Sequence, residues 1–215
     1  MVRKLKKKAK VKAEAKVKAR PKPKPKPKPK PQPKKISSNF NAMPVRQIAA
    51  AVSRHLSQAG YDPVLTGRAC AAAYIGARIK PKTLDFVLTE YEVPELAEAM
   101  RTIGFMRSGL YNYVSRRSPV DVVFSPPPLA VGDHLVKETA VMKAKGGSIR
   151  LLTPTDCCRQ RLSMYYRWGD REAFDDAVEL ALCHEIDMDL VKRWSDWEWC
   201  SDRFEEFHRE IKKRS

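Results

Sequence analysis

The feature that most limits how this chain can fold is an almost strict alternation of proline and lysine over residues 21–34, PKPKPKPKPKPQPK. Proline fixes φ and lacks a backbone N–H, so this segment excludes both a helix and a hydrogen-bonded strand and favours extended polyproline II. Residues 1–20 contain too few apolar side chains to build a core. We therefore predict a disordered basic tail over residues 1–35, a linker over 36–44 and a folded body from residue 45 onward.

The tail also holds nearly all of the excess positive charge. Residues 1–35 contain 17 of the 42 lysines and arginines but only Glu14 among the 25 acids, so residues 36–215 are almost neutral, with 25 basic and 24 acidic side chains. Such a tail favours contact with nucleic acid, where neutralised phosphates release counterions. It is also typical of a solubilising spacer, and Met43, just before the body, is an alternative start of translation.

The distribution of cysteines and apolar residues predicts a cytoplasmic protein. The basic N-terminus is not followed by an apolar stretch of signal-peptide length, and the longest low-charge run, residues 69–77, is too short to span a bilayer. The five cysteines show no repeating spacing, which favours free thiols in a reducing compartment. One alternative is a zinc site; its four candidate ligands are Cys183, His184, Cys200 and His208, whose spacing matches no compact zinc module.

The first part of the body, residues 45–152, is predicted to form an α/β core. Apolar residues at helical spacing follow Val45, and a short strand over 63–66 ends at Gly67 before a small-residue helix. Residues 83–89 alternate in polarity, so one face of that strand is apolar and the other polar. Further segments follow in chain order: a helix over 94–103, strands near 105–108, 111–114 and 120–124, and a hairpin of 140–142 with 149–152 around Gly146-Gly147.

The second part, residues 153–215, is predicted to be helical and to pack on this core. Thr153 and Pro154 supply an N-cap and a first-turn proline for a helix that reaches Trp168. The last 30 residues place apolar side chains at a spacing of about four and three residues, which indicates a buried helical stripe; its members are Leu190, Trp194, Trp197, Phe204 and Ile211.

The candidate site residues of the α/β core lie on or directly after three predicted strands. A strand, Gly67 and a helix are followed about twenty residues later by Asp85 on an alternating strand, and a later strand carries Asp121. Backbone N–H groups at a helix N-terminus bind phosphate, and carboxylates bind a divalent metal ion.

These segments resemble the signature of the nucleotidyltransferase superfamily. Residues 65–88, LTGRACAAAYIGARIKPKTLDFVL, are similar to its strand, Gly-Gly or Gly-Ser, helix and Asp-x-Asp. Residues 151–181 resemble the helical segment of AbiEii-like and uncharacterised bacterial nucleotidyltransferase-like proteins. The resemblance implies an α/β fold with a mixed sheet flanked by helices and a C-terminal helical segment. It also implies a nucleoside triphosphate bound with Mg²⁺, or Mn²⁺, and transfer of a nucleoside monophosphate.

The match to this signature is incomplete. Gly67 matches, but Arg68 stands at the usual Gly or Ser, and Thr83 replaces the first acid of Asp-x-Asp. Asp85 matches the second acid and Asp121 is the candidate third, which makes these two the catalytic and metal-binding candidates. Gly67, Arg68 and Thr83 are the candidates for binding the nucleotide and its phosphates.

Arg161 is a further phosphate-binding candidate, because it lies in the middle of the apolar face predicted for the helix after Pro154. Trp168 belongs to the same inward face, whereas Arg159 and Gln160 are predicted on the opposite, outward face. A buried arginine needs an anionic partner. That partner is either a nucleotide phosphate or an internal carboxylate, of which the sequence offers Asp170, Asp175 and Asp176.

Three functions remain open from the sequence. The first is a nucleotidyltransferase-like protein that binds an NTP with Mg²⁺ and transfers a nucleotide weakly. The second is a catalytically inactive binding module of the same fold, associated with nucleic acid through residues 1–35. The third is a toxin- or antitoxin-like protein that acts through protein contacts.

Overall fold

A computed structural model of the protein describes residues 39–76, 78–88 and 93–215. The predicted tail, the start of the predicted linker and Thr89 lie outside this part of the chain. Within it, no helix has both the length and the apolar character needed to cross a bilayer.

The described residues form helices and strands in the order predicted for an α/β core followed by a helical segment. The helices are α1 Val45–Gln58, α2 Gly67–Ile75, α3 Val93–Thr102, α4 Pro154–Trp168, α5 Arg171–Cys183, α6 Met188–Trp197 and α7 Ser201–Arg214. The strands are β1 Pro63–Thr66, β2 Thr83–Leu88, β3 Met106–Arg107, β4 Asn112–Val114, β5 Asp121–Ser125, β6 Ala130–Val131, β7 His134–Leu135, β8 Thr139–Ala144 and β9 Gly147–Leu152. The pair β6–β7, a small separate sheet, is absent from the sequence prediction.

Seven strands form one mixed sheet in the order β3-β4-β5-β2-β1-β9-β8. The pairs β2–β5 and β1–β9 are parallel, and the other neighbours are antiparallel. This arrangement, with helices around the sheet and four helices after it, confirms the predicted mixed α/β class.

The alternation of β2 explains how the sheet separates a core face from a polar face. Leu84, Phe86 and Leu88 are fully buried, whereas Thr83 and Asp85 point to the opposite, partly exposed side. The polar side chains of β2 are therefore available for a site, while the apolar ones anchor the strand.

Local capping signals fix the C-terminal helices. The Thr153 side chain accepts a hydrogen bond from the Asp156 N–H, and Pro154 occupies the first turn of α4. Gly169 ends that helix with φ +66°, a conformation that favours glycine. Asp170 then caps α5 through the Ala173 N–H, so α4 and α5 form a tight hairpin beside the sheet.

The predicted linker over 36–44 contributes to the core. Phe40 is buried, its ring lies 5.7 Å from that of Phe105, and its N–H donates to the Arg117 carbonyl. Packing against the core therefore begins before Val45, the predicted start of the folded body.

The orientations of three helical side chains were predicted wrongly. Trp197 was placed in the buried stripe of the last helices and Trp168 on the inward face of α4, yet both are largely exposed. Both are the last residues of their helices, where the chain leaves the core. Arg159, assigned to the outward face, is buried against the Trp194 ring and pairs with Asp156 at 2.8 Å. Its long stem and planar head permit this burial.

Candidate functional site

The centre of the candidate site is the contact between Gly67 and Asp85. Strand β1 ends at Thr66, and Gly67 begins α2 with φ +65°. A Cβ atom at Gly67 would lie 2.7 Å from Asp85 Oδ2, too close for any side chain. Glycine is therefore required here by both the backbone conformation and the neighbouring carboxylate. The contact places the Asp85 carboxylate at the N-terminus of α2, where the helix dipole favours negative charge.

Asp85 is held by Thr83, two residues earlier on the same face of β2. The Thr83 hydroxyl lies 3.3 Å from Oδ1 and 3.1 Å from Oδ2 of Asp85 and donates to the carboxylate. Burial raises the pKa of Asp85 above its ordinary value, and the Thr83 hydroxyl and the Arg161 charge oppose that rise. The carboxylate is thus oriented but incompletely compensated, as expected for a group that binds a cation.

Asp121 lies on the neighbouring strand and on the same face as Asp85. In the parallel pair β2–β5, Asp121 is opposite Thr83, and Val123 is opposite Asp85. The backbones at Asp85 and Asp121 are therefore diagonal neighbours, on the order of 8 Å apart. Asp121 is exposed, whereas Asp85 is half-buried. The structure brings the two predicted acids together on one face, with Thr83 between them.

Gln160 on α4 is a member of the site that the sequence prediction missed. The Gly67 N–H donates a hydrogen bond of 2.7 Å to Gln160 Oε1. The first amide of α2 is therefore already satisfied inside the protein. The only sequence signal for this contact was the position of Gln160 next to Arg161, and helical spacing had placed it on the outward face.

Arg161 forms ion pairs with carboxylates of the protein itself. Its Nε lies 3.3 Å from Asp176 Oδ2, and its Nη2 lies 3.8 Å from Asp170 Oδ2. The side chains of Arg161 and Asp176 are only 7% and 6% exposed. The internal-carboxylate alternative is thus what the geometry shows, except that Asp175 pairs instead with Arg214 at 2.9 Å.

Arg161 nevertheless belongs to the same neighbourhood as Asp85, since its positive charge counteracts the burial-induced rise in the pKa of Asp85. Arg68 joins the network from α2: its Nε lies 3.3 Å from Asp176, and its Nη1 lies 2.5 Å from Glu172. Both predicted phosphate-binding arginines are therefore neutralised by carboxylates of α5. A phosphate at this site must either share them with Asp176 and Glu172 or bind the backbone of α2.

The residues fit a magnesium ion that arrives together with phosphate oxygens. Asp85, Asp121 and the Thr83 hydroxyl supply hard oxygen donors on one face, and Mg²⁺ is usually held by one or two carboxylates plus substrate phosphates and water. Among the described residues, no group of three or more His, Cys, Asp or Glu side chains is arranged to hold a metal ion. The four residues of the zinc alternative, Cys183, His184, Cys200 and His208, therefore do not form such a group. The chain thus offers part of a coordination shell.

The fold resembles that of a known nucleotidyltransferase-like protein. A crystal structure of an antigenic nucleotidyltransferase-like protein from Paracoccidioides brasiliensis is similar with a TM-score of 0.51 and 16% sequence identity, over 66% of this chain and 78% of that chain. The solution structure of the antibiotic-resistance factor ANT(2'')-Ia aligns with a TM-score of 0.47 and 11% identity, over 76% of this chain and 97% of that one. No protein-family model and no curated protein matches the sequence. The chain has a nucleotidyltransferase-like fold.

Proposed function

We propose that this protein binds a nucleoside triphosphate together with Mg²⁺ on the polar face of β2 and β5, and that it transfers a nucleoside monophosphate only slowly. The observation that carries the proposal is the packing of the Asp85 carboxylate against Gly67 at the start of α2. Glycine is needed at position 67 because of its positive φ and the close Asp85 carboxylate. A carboxylate held at a helix N-terminus in this fold supports a site for a phosphate and a metal ion.

Asp85 is the main metal ligand in this proposal, and Asp121 approaches from the neighbouring strand. The Thr83 hydroxyl fixes the orientation of the Asp85 carboxylate through the two contacts to its oxygens. When bound, Mg²⁺ neutralises charge on the triphosphate and polarises the reacting phosphoryl group.

The phosphates lie over the N-terminus of α2. Because Gln160 occupies the Gly67 N–H, the following amides of the first turn are the donors that remain for a phosphate oxygen. Arg161 lies near Asp85 with its charge already paired to Asp176, so it contributes to the field of the site and holds α4 against α5.

In the transfer step, an acceptor hydroxyl oxygen forms a bond to the α-phosphorus. The bond from that phosphorus to the oxygen of pyrophosphate breaks, and the acceptor proton passes to a nearby base. Asp121 is the exposed carboxylate on this face and is suited to that role. The stereochemistry requires the acceptor to enter on the side opposite the pyrophosphate.

A second candidate function is a binding module without transferase activity. It is favoured by the two nearest neighbours of Asp85 on this face, neither of which is a carboxylate. Thr83 lies two residues earlier on the same strand, and Val123 lies opposite Asp85 on β5. A site with one well-placed carboxylate binds a metal–nucleotide complex more readily than it catalyses transfer, because the second metal ligand contributes mainly in the transition state.

Several finer assignments stay predictions. Membership of the AbiEii-like group rests on residues 151–181 alone, and the division into a core over 45–152 and a helical region over 153–215 rests on sequence pattern. Contact of residues 1–35 with nucleic acid and a cytoplasmic location rest on composition.

We expect slow labelling of an acceptor when the full-length protein is incubated with each α-labelled NTP, Mg²⁺ or Mn²⁺, and RNA, DNA or protein. Asp85→Asn should abolish the labelling because the amide is neutral and a poor metal ligand. The matched control Asp133→Asn changes an exposed acid outside the site and should label at the wild-type rate. Labelling that survives Asp85→Asn contradicts the site, and no labelling with any NTP favours the binding module.

A further inference from the structure

Basic side chains gather at the edge of the sheet where β2 and β5 begin. The two segments that lead into these strands, residues 78–82 and 115–120, contain five lysines and arginines and no acid. The body as a whole is different, because residues 36–215 carry 25 basic and 24 acidic side chains. We give the name basic edge to four of the five basic residues; they are Lys80, Lys82, Arg116 and Arg117.

Most of the charge of the basic edge is not neutralised by the protein. The fifth base, Arg78, pairs with Glu179 at 2.6 Å. In contrast, Lys80, Lys82 and Arg116 form no ion pair with any carboxylate in the part of the chain that the structure describes. All three are exposed. Their positive charge is therefore available to an anionic ligand.

The pairing of β2 with β5 places the basic edge beside the candidate site. Asp121 lies opposite Thr83, and the Asp121 N–H donates to the Lys82 carbonyl at 3.0 Å. Arg116 precedes Asp121 by five residues, in the turn that joins β4 to β5. The cations therefore border the exposed carboxylate that is suited to accept the proton of an acceptor hydroxyl.

Exposed apolar side chains continue the polar face of the sheet beyond Asp121. Tyr113 of β4 pairs with Val122 on the buried core face. The next residue, Val114, therefore lies on the same face as Asp121 and beside it. Met106 of β3 pairs with Val114, and the two side chains are 57% and 38% exposed. The surface next to Asp121 thus combines apolar contact area with positive charge at its border.

The basic N-terminal segment joins the body at this same edge. The Phe40 N–H donates to the Arg117 carbonyl at 2.7 Å, and the Phe40 ring lies 5.7 Å from that of Phe105, the residue before Met106. Lys35, the last of the 17 basic residues of this segment, precedes Phe40 by five residues, a length that spans at most about 18 Å. An anionic chain that contacts the segment is therefore brought close to Asp121.

We propose that the basic edge and the apolar surface beside Asp121 bind a single strand of nucleic acid, whose terminal hydroxyl accepts the transferred nucleotide. This rests on the proposed function and names its acceptor. Backbone phosphates pair with the cations and release counterions. Unpaired bases offer flat apolar faces to Met106 and Val114, faces that a duplex hides within its stack. A single strand matches both properties of the surface, whereas a duplex matches the charge alone.

The test is fluorescence anisotropy of the full-length protein with a labelled single strand of about 12 nucleotides, in the absence of NTP. Lys82→Gln combined with Arg116→Gln should lower the affinity at least about tenfold at about 0.1 M salt. The slope of log affinity against log salt should fall by about 1.4, since each phosphate contact of a single strand contributes about 0.7. Both side chains are exposed, so the melting temperature should stay the same.

The matched control is Lys137→Gln combined with Lys143→Gln, which removes the same charge from two exposed lysines at β8, the opposite edge of the sheet. This protein should bind the strand with the affinity and salt slope of the wild type. If the two double variants bind equally well, the attraction is diffuse and the proposal is overturned.

A second pair of variants tests the contact with unpaired bases. Met106→Ala should weaken binding of the single strand about threefold or more and leave binding of the matching duplex unchanged. Leu110→Ala removes another exposed apolar side chain, in the turn at the far end of β3 and β4, and should change neither. An equal effect of Met106→Ala on strand and duplex overturns the single-strand assignment.

The titrations contain no NTP, so their outcome is separate from that of the proposed function. A wild type that binds the strand as expected but attaches no labelled nucleotide to it contradicts the transfer. Labelling of a protein in preference to the strand overturns the acceptor assignment and leaves the transfer standing.

Discussion

Replacing Arg161 with methionine should lower the free energy of unfolding by about 3 kcal/mol, because it leaves the buried carboxylate of Asp176 with Arg68 as its remaining ion-pair partner. The side chains of Arg161 and Asp176 are almost fully buried and lie 3.3 Å apart. Burial already raises the pKa of Asp176, and Arg161 is the first of the charges that oppose this rise. Denaturant unfolding of both proteins measures the difference.

The deficit should depend on pH with a defined sign. Without Arg161 the pKa of Asp176 rises further in the folded state, so stability is retained in acid and lost as the pH rises through that pKa. The Arg161→Met protein should therefore lie closer to the wild type at pH 4 than at pH 7. The opposite trend would mean that another group controls the loss.

Two further variants separate the buried pair from ordinary surface pairs. Arg78→Met breaks a more exposed pair with Glu179 at 2.6 Å and should cost only about 0–1 kcal/mol. Arg161→Met combined with Asp176→Leu removes both charges and should recover much of the loss. A cost for Arg161→Met no greater than for Arg78→Met contradicts a buried network.

Replacing Thr83 with aspartate should raise the rate of nucleotidyl transfer by more than about 100-fold, because a further carboxylate beside the metal contributes several kcal/mol of transition-state stabilisation. Thr83 lies between Asp85 along the strand and Asp121 across it. The variant therefore produces three adjacent carboxylates on one face. The rate is measured by labelling of the acceptor at saturating NTP.

The same variant has a readout that does not depend on activity. Three carboxylates repel one another, so Thr83→Asp should melt at a lower temperature than the wild type without metal and regain that difference with Mg²⁺. Thr83→Asn is the matched neutral control and should gain neither activity nor Mg²⁺-dependent stability. A Thr83→Asp protein that gains Mg²⁺-dependent stability but transfers no faster supports the binding module, and one that gains neither contradicts the metal site.

The sequence predicted the parts of this fold that depend on local chemistry. The alternation of residues 83–88 gave the polar and apolar faces of β2, and Thr153 with Pro154 gave the start of α4. It also indicated that Asp85 and Asp121 lie on strands, and pairing of those strands then places them on one face. Each of these features is set by neighbours in the chain.

The parts that were missed depend on long-range packing. The hydrogen bond from Gly67 to Gln160 joins residues 93 positions apart, and no periodicity within α4 specifies it. The choice of Asp176 as partner of Arg161, and of Arg214 for Asp175, is decided by how α5 rotates against α4 and α7. The register that sets Val123 opposite Asp85 follows from strand pairing, which the sequence of either strand alone leaves open.

The central claim is that Asp85, held against Gly67, binds the metal–triphosphate complex. Its most direct measurement is a calorimetric titration of the full-length wild type and Asp85→Asn with each NTP in excess Mg²⁺. Because burial raises the pKa of Asp85, its charged form destabilises the fold at neutral pH, so Asp85→Asn should melt no lower than the wild type and any loss of binding is local. We predict binding of at least one NTP by the wild type and an affinity at least about tenfold lower for Asp85→Asn. Equal affinities, or no binding of any NTP by the wild type, would contradict the claim.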